Sequence, residues 1–360
     1  MTRALHLAAR GLEGVSPNPL VGAVVVRSGS IVGEGHHKTF GGPHAEVEAL
    51  RSAGAAARGA DLYVTLEPCA HHGKTPPCTD AIREAGLRRV FYAAADPNPA
   101  TAGRGPAILR RSGIVAAGGL LVREARELIR PYLHWRATGR PWVIAKWGMS
   151  LDGKIATSRG ESRWITGPRA REYAHRLRRR VDAVLVGTNT ARADDPSLLP
   201  RPDRGRRPIR IVLDRTGRLP LALQFFAPGR GRGSRLYVVS SRVGSLRLAR
   251  VAGRGVEVLV LPERRGRLDL ARLLEVLGKR GISQLLVEGG GELLGAFLDR
   301  GLVQEVAAFV APVIIGGDGA PGPAGGAGTA TLAGALRLRE PRIRRLGTDI
   351  LIEGRVSGPR

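Results

Sequence analysis

Pro43-His44-Ala45-Glu46, followed by Glu67-Pro68-Cys69 and Pro76-Pro77-Cys78, is the stretch that decides how this chain is read. The sequence has two cysteines, and both stand here, behind the His-x-Glu. One imidazole and two thiolates suit a tetrahedral zinc that keeps a fourth position for water. Glu46 stands too close to His44 to be a third oxygen ligand, and its carboxylate suits proton transfer instead. His-x-Glu alone is weak evidence, because it recurs at solvated helix starts, and buried free cysteines are ordinary in a core. His71 or His72 as a fourth ligand would make a closed, structural site. The three motifs nevertheless occur together and in order, each expected to open a helix, and that conjunction favours a catalytic zinc.

Length and composition bound the rest. A chain of 360 residues is long enough for two domains at about 150 residues each. No apolar run approaches the roughly 18 residues of a membrane span, and Met1 to Gly11 lacks the apolar segment of a signal peptide. With both cysteines assigned to metal no disulfide framework remains, so a cytoplasmic location is expected. A net charge of +26 points towards nucleic acid. The excess is almost all arginine, however, spread through both halves, and aromatic residues for base stacking are few. The charge is therefore read as favouring phosphorylated small molecules, with no nucleic acid, no membrane and a homo-oligomer (dimer or tetramer) expected.

Along the chain, Leu5, Leu7, Ala8 and Leu12 mark a short amphipathic helix before the strand Leu20 to Val26 and a Gly-rich hairpin at 28–30. The helix opened by His44 runs to about Ala53, then the strand Asp61 to Leu66, the cysteine segment, a helix from Cys78 and the strand Arg89 to Ala94. Asp96-Pro97-Asn98-Pro99 forms a polar turn. Helix and strand alternate once more to Ala116, and one helix from Leu121 to about Arg136 closes the domain. Gly139 and Pro141 mark the boundary, giving domains 1–140 and 141–360. The second half opens with the strand from Trp142 and a helix from Pro168. Apolar runs at 182–186, 209–213, 236–239, 256–261, 284–287 and 306–310 read as buried strands alternating with helices. Residues 320–328, dense in Gly and Pro, read as a mobile loop. Both halves are α/β.

His-x-Glu with Pro-Cys and a second Cys resembles the signature of zinc-dependent base deaminases, with eight residues between the cysteines instead of two. The spacing Pro68 to Cys78 is similar to that of one family, the bifunctional riboflavin-biosynthesis deaminase–reductases of RibD or RibG type. The resemblance runs through Pro17 to Val25, His44 to Glu46, Thr65 to Cys69, Asp96 to Pro99 and Gly103 to Gly105. It continues through Ser150 to Ala156, Trp164 to Thr166, Ala193 to Pro196 and Val287 to Gly290.

The resemblance implies a cytidine-deaminase-like three-layer domain followed by a dihydrofolate-reductase-like domain. It implies zinc on His44, Cys69 and Cys78, with Glu46 as proton shuttle. Asn18, His37, Lys74, Asp96 and Asn98 match the deaminase substrate pocket; Asn amides can read a base edge and Lys74 offers charge to a phosphate. Ser162, Arg178, Leu198, Arg201 and Glu288 match the reductase substrate site, with Lys146 and Asp152 bordering it. Gly148, Trp164, Thr190, Asp194, Gly290, Gly291, Glu292 and Leu293 match the NADPH site. The second half lacks Gly-x-Gly-x-x-Gly, so only the Gly-rich turn at 289–291 before a helix hints physically at a dinucleotide. At position 215 relatives tend to carry Ser or Thr; Arg215 here is read as a grip on the NADPH 2′-phosphate, or else as a solvated arginine. The acidic segment that many relatives carry ahead of the first motif is short or absent.

The activity implied is deamination of 2,5-diamino-6-ribosylamino-4(3H)-pyrimidinone 5′-phosphate, then NADPH-dependent reduction of the ribosyl group to ribityl. No acid for sugar-ring opening is assigned. Two other readings are a nucleic-acid base deaminase whose basic second half binds RNA, and a reductase whose first half is only a scaffold. The long cysteine spacing counts against the first, and the intact His44, Glu46, Cys69 and Cys78 against the second.

Overall fold

The computed structural model describes residues 1–98, 102–203, 205–227 and 234–358. Pro99, the last residue of the expected polar turn, lies outside them. Contacts divide the chain into two units, Met1–Gly139 and Arg140–Arg360.

In the first unit, apolar β-branched runs form the middle of a five-stranded sheet. Its strands are β1 (Gly22–Arg27), β2 (Ser30–His36), β3 (Asp61–Leu66), β4 (Arg89–Ala94) and β5 (Val115–Gly118), in the order β2-β1-β3-β4-β5. β3, β4 and β5 are parallel, whereas β1 is antiparallel to both its neighbours. The start of β1 and the ends of β2, β3 and β4 therefore meet at one edge of the sheet. Helices cover both faces. α2 (Ala45–Ala53), α3 (Cys78–Glu84) and α4 (Arg104–Arg111) bury Ala45, Ala49, Ile82 and Leu109 on one side. α1 (Thr2–Ala8), α5 (Val122–Leu128) and α6 (Arg130–Thr138) lie on the other, with Leu7, Ala125 and Ile129 inward. The alanine face of α2 sits unusually close to β2, because a Cβ on Gly35 would come within 2.4 Å of the Ala45 carbonyl oxygen. That close approach carries His44, which caps α2, to the strand-end edge.

Two expectations are corrected here. Only His44 and Cys78 stand at helix starts; Cys69 follows β3 in an irregular segment, because Gly73, Pro76 and Pro77 cannot sustain a helix before Cys78. The closing helix is two helices broken at Ile129, since Pro131 has no N–H to give the carbonyl of Glu127.

The second unit is a nine-stranded sheet built on β6 (Trp142–Met149), β7 (Ala183–Gly187), β8 (Ile209–Leu213), β9 (Arg235–Ser240), β10 (Glu257–Leu261), β13 (Gln284–Glu288), β14 (Glu305–Val310), β15 (Arg337–Leu346) and β16 (Asp349–Ser357). The order is β10-β9-β8-β7-β13-β6-β14-β16-β15, parallel from β10 to β14 and antiparallel at β16 and β15. A small hairpin, β11 (Glu263–Arg264) with β12 (Arg267–Leu268), stands apart from it. Helices α7 (Pro168–Arg180), α8 (Thr188–Asp194), α9 (Ser245–Ala252), α10 (Leu270–Lys279) and α11 (Gly291–Leu298) connect the strands, and two cores flank the sheet. Near-continuous apolar strands such as Ala183–Val186 follow from burial on both faces. β15 was not expected: it is an arginine-rich edge strand, exposed along nearly all its length and paired with β16.

The Gly- and Pro-rich segment expected to be mobile is docked. The Gly325 N–H donates to the Gly291 carbonyl at 2.9 Å, and Ala327 and Gly328 donate to Asp299 at 2.8 and 3.1 Å. A Cβ on Gly295 would lie 1.8 Å from the Gly325 carbonyl oxygen, so only glycine there lets the segment lie on α11.

Candidate active sites

In the first unit a cavity of about 210 Å³ opens at the strand-end edge. Its lining includes Asn18, His37, His44, Glu46, Cys69, Lys74, Asp96 and Asn98; every site residue expected in this half is here except Cys78, which sits just behind. The nitrogen and sulfur atoms of His44, Cys69 and Cys78 lie within 4.8 Å of one another. His44 Nδ1 is 3.1 Å from Cys78 Sγ and 3.5 Å from Cys69 Sγ.

The electrostatics suit a bound cation. Hydrogen bonding from Cys78, then from His44, stabilises the Cys69 thiolate, whereas Cys78, beside that negative sulfur and buried, is pushed up. Metal binding would require both thiols deprotonated. The backbone N–H of Cys78, at the start of α3, donates to Cys69 Sγ at 3.3 Å. Two thiolates and one imidazole fit zinc. His71 lines the cavity, but neither it nor His72 belongs to the ligand cluster.

Glu46 is buried in the first turn of α2, and burial raises its pKa, which favours a carboxyl that both takes and gives protons. His37 is kept neutral by burial. Its Nδ1 donates to the Pro43 carbonyl at 2.9 Å, so Nε2 accepts from the Asn18 amide at 3.1 Å. That fixes the Asn18 side chain with its oxygen available to a donor edge. Lys74 lies at the cavity mouth with Nζ 3.9 Å from the Phe40 ring centre.

Three further side chains shape this site. Glu67 is buried and accepts the Asp96 N–H at 3.4 Å on Oε2. Tyr132 donates to Asp96, and Arg136 to Asn98. Glu67 belongs to the Glu67-Pro68-Cys69 motif, whereas Tyr132 and Arg136 belong to no motif and only the fold brings them here.

In the second unit the reductase-site residues fall into two groups. Glu288, at the end of β13, receives Arg178 in a fork (Nε 2.7 Å, Nη2 2.8 Å), and Lys146 Nζ lies 3.6 Å away. Burial pushes the Glu288 carboxyl up, but Arg178 and Lys146 overcome that and hold it at about 2. His175, one turn before Arg178, is lowered to about 4 by burial and by Arg178. Leu198 is buried with φ +58°, and its neighbour Leu199 accepts Arg178 Nη1 at 3.0 Å. Arg201 is exposed, its carbonyl accepting from Arg179.

Separately, a cleft of about 710 Å³ is lined by Thr190, Arg215, Gly290, Gly291, Glu292 and Leu293 among others. Thr190 Oγ1 accepts the Gly290 N–H at 3.1 Å, which fixes the Gly-rich turn, and the Glu292 carboxylate is turned aside to Asn189. The turn leads into the amino end of α11, where unpaired N–H groups favour an anion. Arg215 is half-exposed, 3.7 Å from Glu263. Gly148, Trp164 and Asp194 do not line this cleft. Ser162 Oγ donates to Asp194 at 3.2 Å, Trp164 is largely exposed beneath Arg171, and Gly148 packs on Thr166.

Comparison with known proteins accounts for both units. Residues 1–94 match the cytidine and deoxycytidylate deaminase zinc-binding region, and residues 141–352 match the RibD C-terminal domain. The riboflavin biosynthesis protein RibD of Actinobacillus pleuropneumoniae is 42% identical over 359 residues, spanning 100% of this chain and 95% of the relative. That of Escherichia coli K12 is 43% identical over 366 residues, spanning 98% and 97%. Among solved structures, Acinetobacter baumannii RibD superposes with a TM-score of 0.88 at 37% identity, over 99% of this chain and 97% of that one. A diaminohydroxyphosphoribosylaminopyrimidine deaminase/5-amino-6-(5-phosphoribosylamino)uracil reductase from Thermotoga maritima gives 0.85 at 36%, with the same coverage. A cytidine-deaminase-like unit followed by a reductase unit defines a bifunctional deaminase–reductase, dependent on zinc and NADPH. The chain belongs to the RibD family of riboflavin biosynthesis proteins. Because its second half is a reductase domain, the RNA-binding alternative is not favoured. No helix among the described residues is long and apolar enough to cross a membrane.

Proposed function

We propose that residues 1–140 hydrolyse the 2-amino group of 2,5-diamino-6-ribosylamino-4(3H)-pyrimidinone 5′-phosphate, and that residues 141–360 reduce the ribosyl group of the product to ribityl. The observation that carries the first assignment is the convergence of His44, Cys69, Cys78 and Glu46 on one cavity with Asn18 and Asp96 in its wall. His44, Cys69 and Cys78 would hold the zinc, which when bound supplies a water activated near neutral pH. Glu46 takes a proton from the attacking water and gives it to the ring nitrogen. It then assists the departing ammonia as the C–N bond breaks. Asn18 receives a donor of the pyrimidine edge, and Lys74 faces the phosphate. Purified protein should hold about one zinc per chain, and Cys69→Ser or Cys78→Ser should lose it, because oxygen replaces a soft thiolate. Elemental analysis finding active protein without metal would sink this assignment.

For reduction, NADPH supplies the hydride. Thr190, Gly290, Gly291, Glu292 and Leu293 would hold its pyrophosphate region at the amino end of α11. Gly148, Trp164, Asp194 and Ser162 would border the nicotinamide and sugar. Arg178, Arg201, Leu198 and Glu288 would receive the ribosyl phosphate. Strand order supports a direction for the dinucleotide. Glu288 and Lys146 sit on the adjacent strands β13 and β6, so the reacting sugar lies there. Arg215 follows β8, two strands away on the other side of β13, which puts it beside the adenosine end. Arg215→Ala should then cut NADPH efficiency relative to NADH by about tenfold, as befits one lost charge-assisted hydrogen bond. An unchanged ratio would return Arg215 to the solvated arginines. We further propose a cytoplasmic homo-oligomer, dimer or tetramer, acting on small molecules with no nucleic-acid partner.

A further inference from the structure

Residues 95–140 fall between the two family matches, yet they hold one wall of the deaminase cavity. Asp96 Oδ1 accepts two hydrogen bonds, from the Asn98 N–H at 2.9 Å and from Tyr132 Oη at 3.1 Å. Among the described residues both fall on the same oxygen, which leaves Oδ2 available to a ligand in the cavity that Asp96 lines. Arg136 Nη2 donates to Asn98 Oδ1 at 2.9 Å. Tyr132 and Arg136 stand one turn apart on α6, so one helix face reaches both members of the turn.

The terminal torsions of Asp and Asn side chains are broad and roughly two-fold, so neither group is oriented by its own rotamer. An amide whose oxygen is committed to a guanidinium has lost its flip ambiguity, and a carboxylate held by a fixed backbone N–H and a phenol no longer rotates. We infer that Tyr132 and Arg136 are positioning residues for deamination: α6 locks Asp96 with a carboxylate oxygen turned to receive a substrate hydroxyl or ring N–H, and Asn98 with its amide NH2 turned to donate. The inference rests on the reading of Asp96 and Asn98 as substrate-binding residues. Neither α6 residue is assigned contact with the reacting atoms, so the effect belongs in binding rather than in the chemical step.

The test uses the full-length zinc-loaded protein and three variants, Tyr132→Phe, Arg136→Ala and Asp96→Ala, each assayed for ammonia release and for NADPH oxidation with the already deaminated substrate. Tyr132→Phe should raise the deamination KM about tenfold with kcat within about twofold, and Arg136→Ala should raise it about threefold to tenfold. Reduction should stay at the wild-type rate and report an intact fold. If Asp96→Ala raises KM while the two α6 variants leave it unchanged, the positioning role is overturned and the pocket stands. If Asp96→Ala also leaves KM unchanged, the pocket reading fails first. A fall in kcat at constant KM for Tyr132→Phe would equally overturn the inference, by putting the phenol in the chemistry. Should Tyr132→Phe fold poorly, Arg136→Ala decides alone, because that side chain is exposed and its removal leaves no buried gap.

Discussion

Glu46→Gln should slow ammonia release by about 10²–10⁴-fold, the usual contribution of a positioned acid–base group. The substitution keeps the shape of the side chain and leaves His44, Cys69 and Cys78 in place, so zinc content should not change. What it removes is the carboxyl whose pKa burial has raised. An amide cannot carry a proton from the attacking water to the ring nitrogen, and among the described residues the metal cluster itself holds no carboxylate. Given the deaminated ribosylaminouracil phosphate, the same variant should oxidise NADPH at nearly the wild-type rate. Deamination surviving within about tenfold would remove Glu46 from the mechanism.

The second large effect is expected from Arg178→Ala. Arg178 is the forked partner of a buried carboxylate, with Lys146 the only other cation within 4 Å of Glu288 among the described residues. Removing one partner of such a pair typically costs about 3–5 kcal/mol, because the remaining charge is stranded. Part of that loss should appear as a lower melting temperature of the protein. The rest should appear in reduction, where kcat/KM for the phosphorylated substrate should fall by about 10²-fold or more. Arg178→Lys keeps the charge but not the fork, and should fall between. Ammonia release should be unaffected by either change. A normal reduction rate in Arg178→Ala would show that Glu288 and Arg178 lie outside the substrate site.

How much of this was legible in the sequence depended on where each residue's job is written. The zinc cluster and Glu46 are local motifs, and the fold adds only the geometry: β3 ends before Cys69, and α2 and α3 begin at His44 and Cys78. Asn18, His37 and Asp96 converge because β1 runs against β3, a topology that family resemblance supplied and periodicity alone would not. Tyr132 and Arg136 left no trace, since a tyrosine and an arginine in unremarkable company acquire their roles only by folding. The break at Ile129 is written in Pro131, but the helical pattern continues on both sides of it. The cofactor cleft was the least legible part. Its glycines do not follow a dinucleotide fingerprint, and Gly291 and Gly295 are needed partly for the approach of Gly325, a contact between segments 30 residues apart or more. The edge strand β15 was missed because its arginines face solvent, so it shows no buried alternation.

The central claim is that one chain carries two separate chemistries acting in succession. Its most direct measurement is to supply the purified protein with the diaminopyrimidine ribosyl phosphate and follow ammonia and NADPH absorbance in the same cuvette. The account predicts equal final amounts of ammonia released and NADPH consumed, with ammonia leading and still released when NADPH is withheld. NADPH oxidation without ammonia, or ammonia release that stops when NADPH is left out, would contradict it.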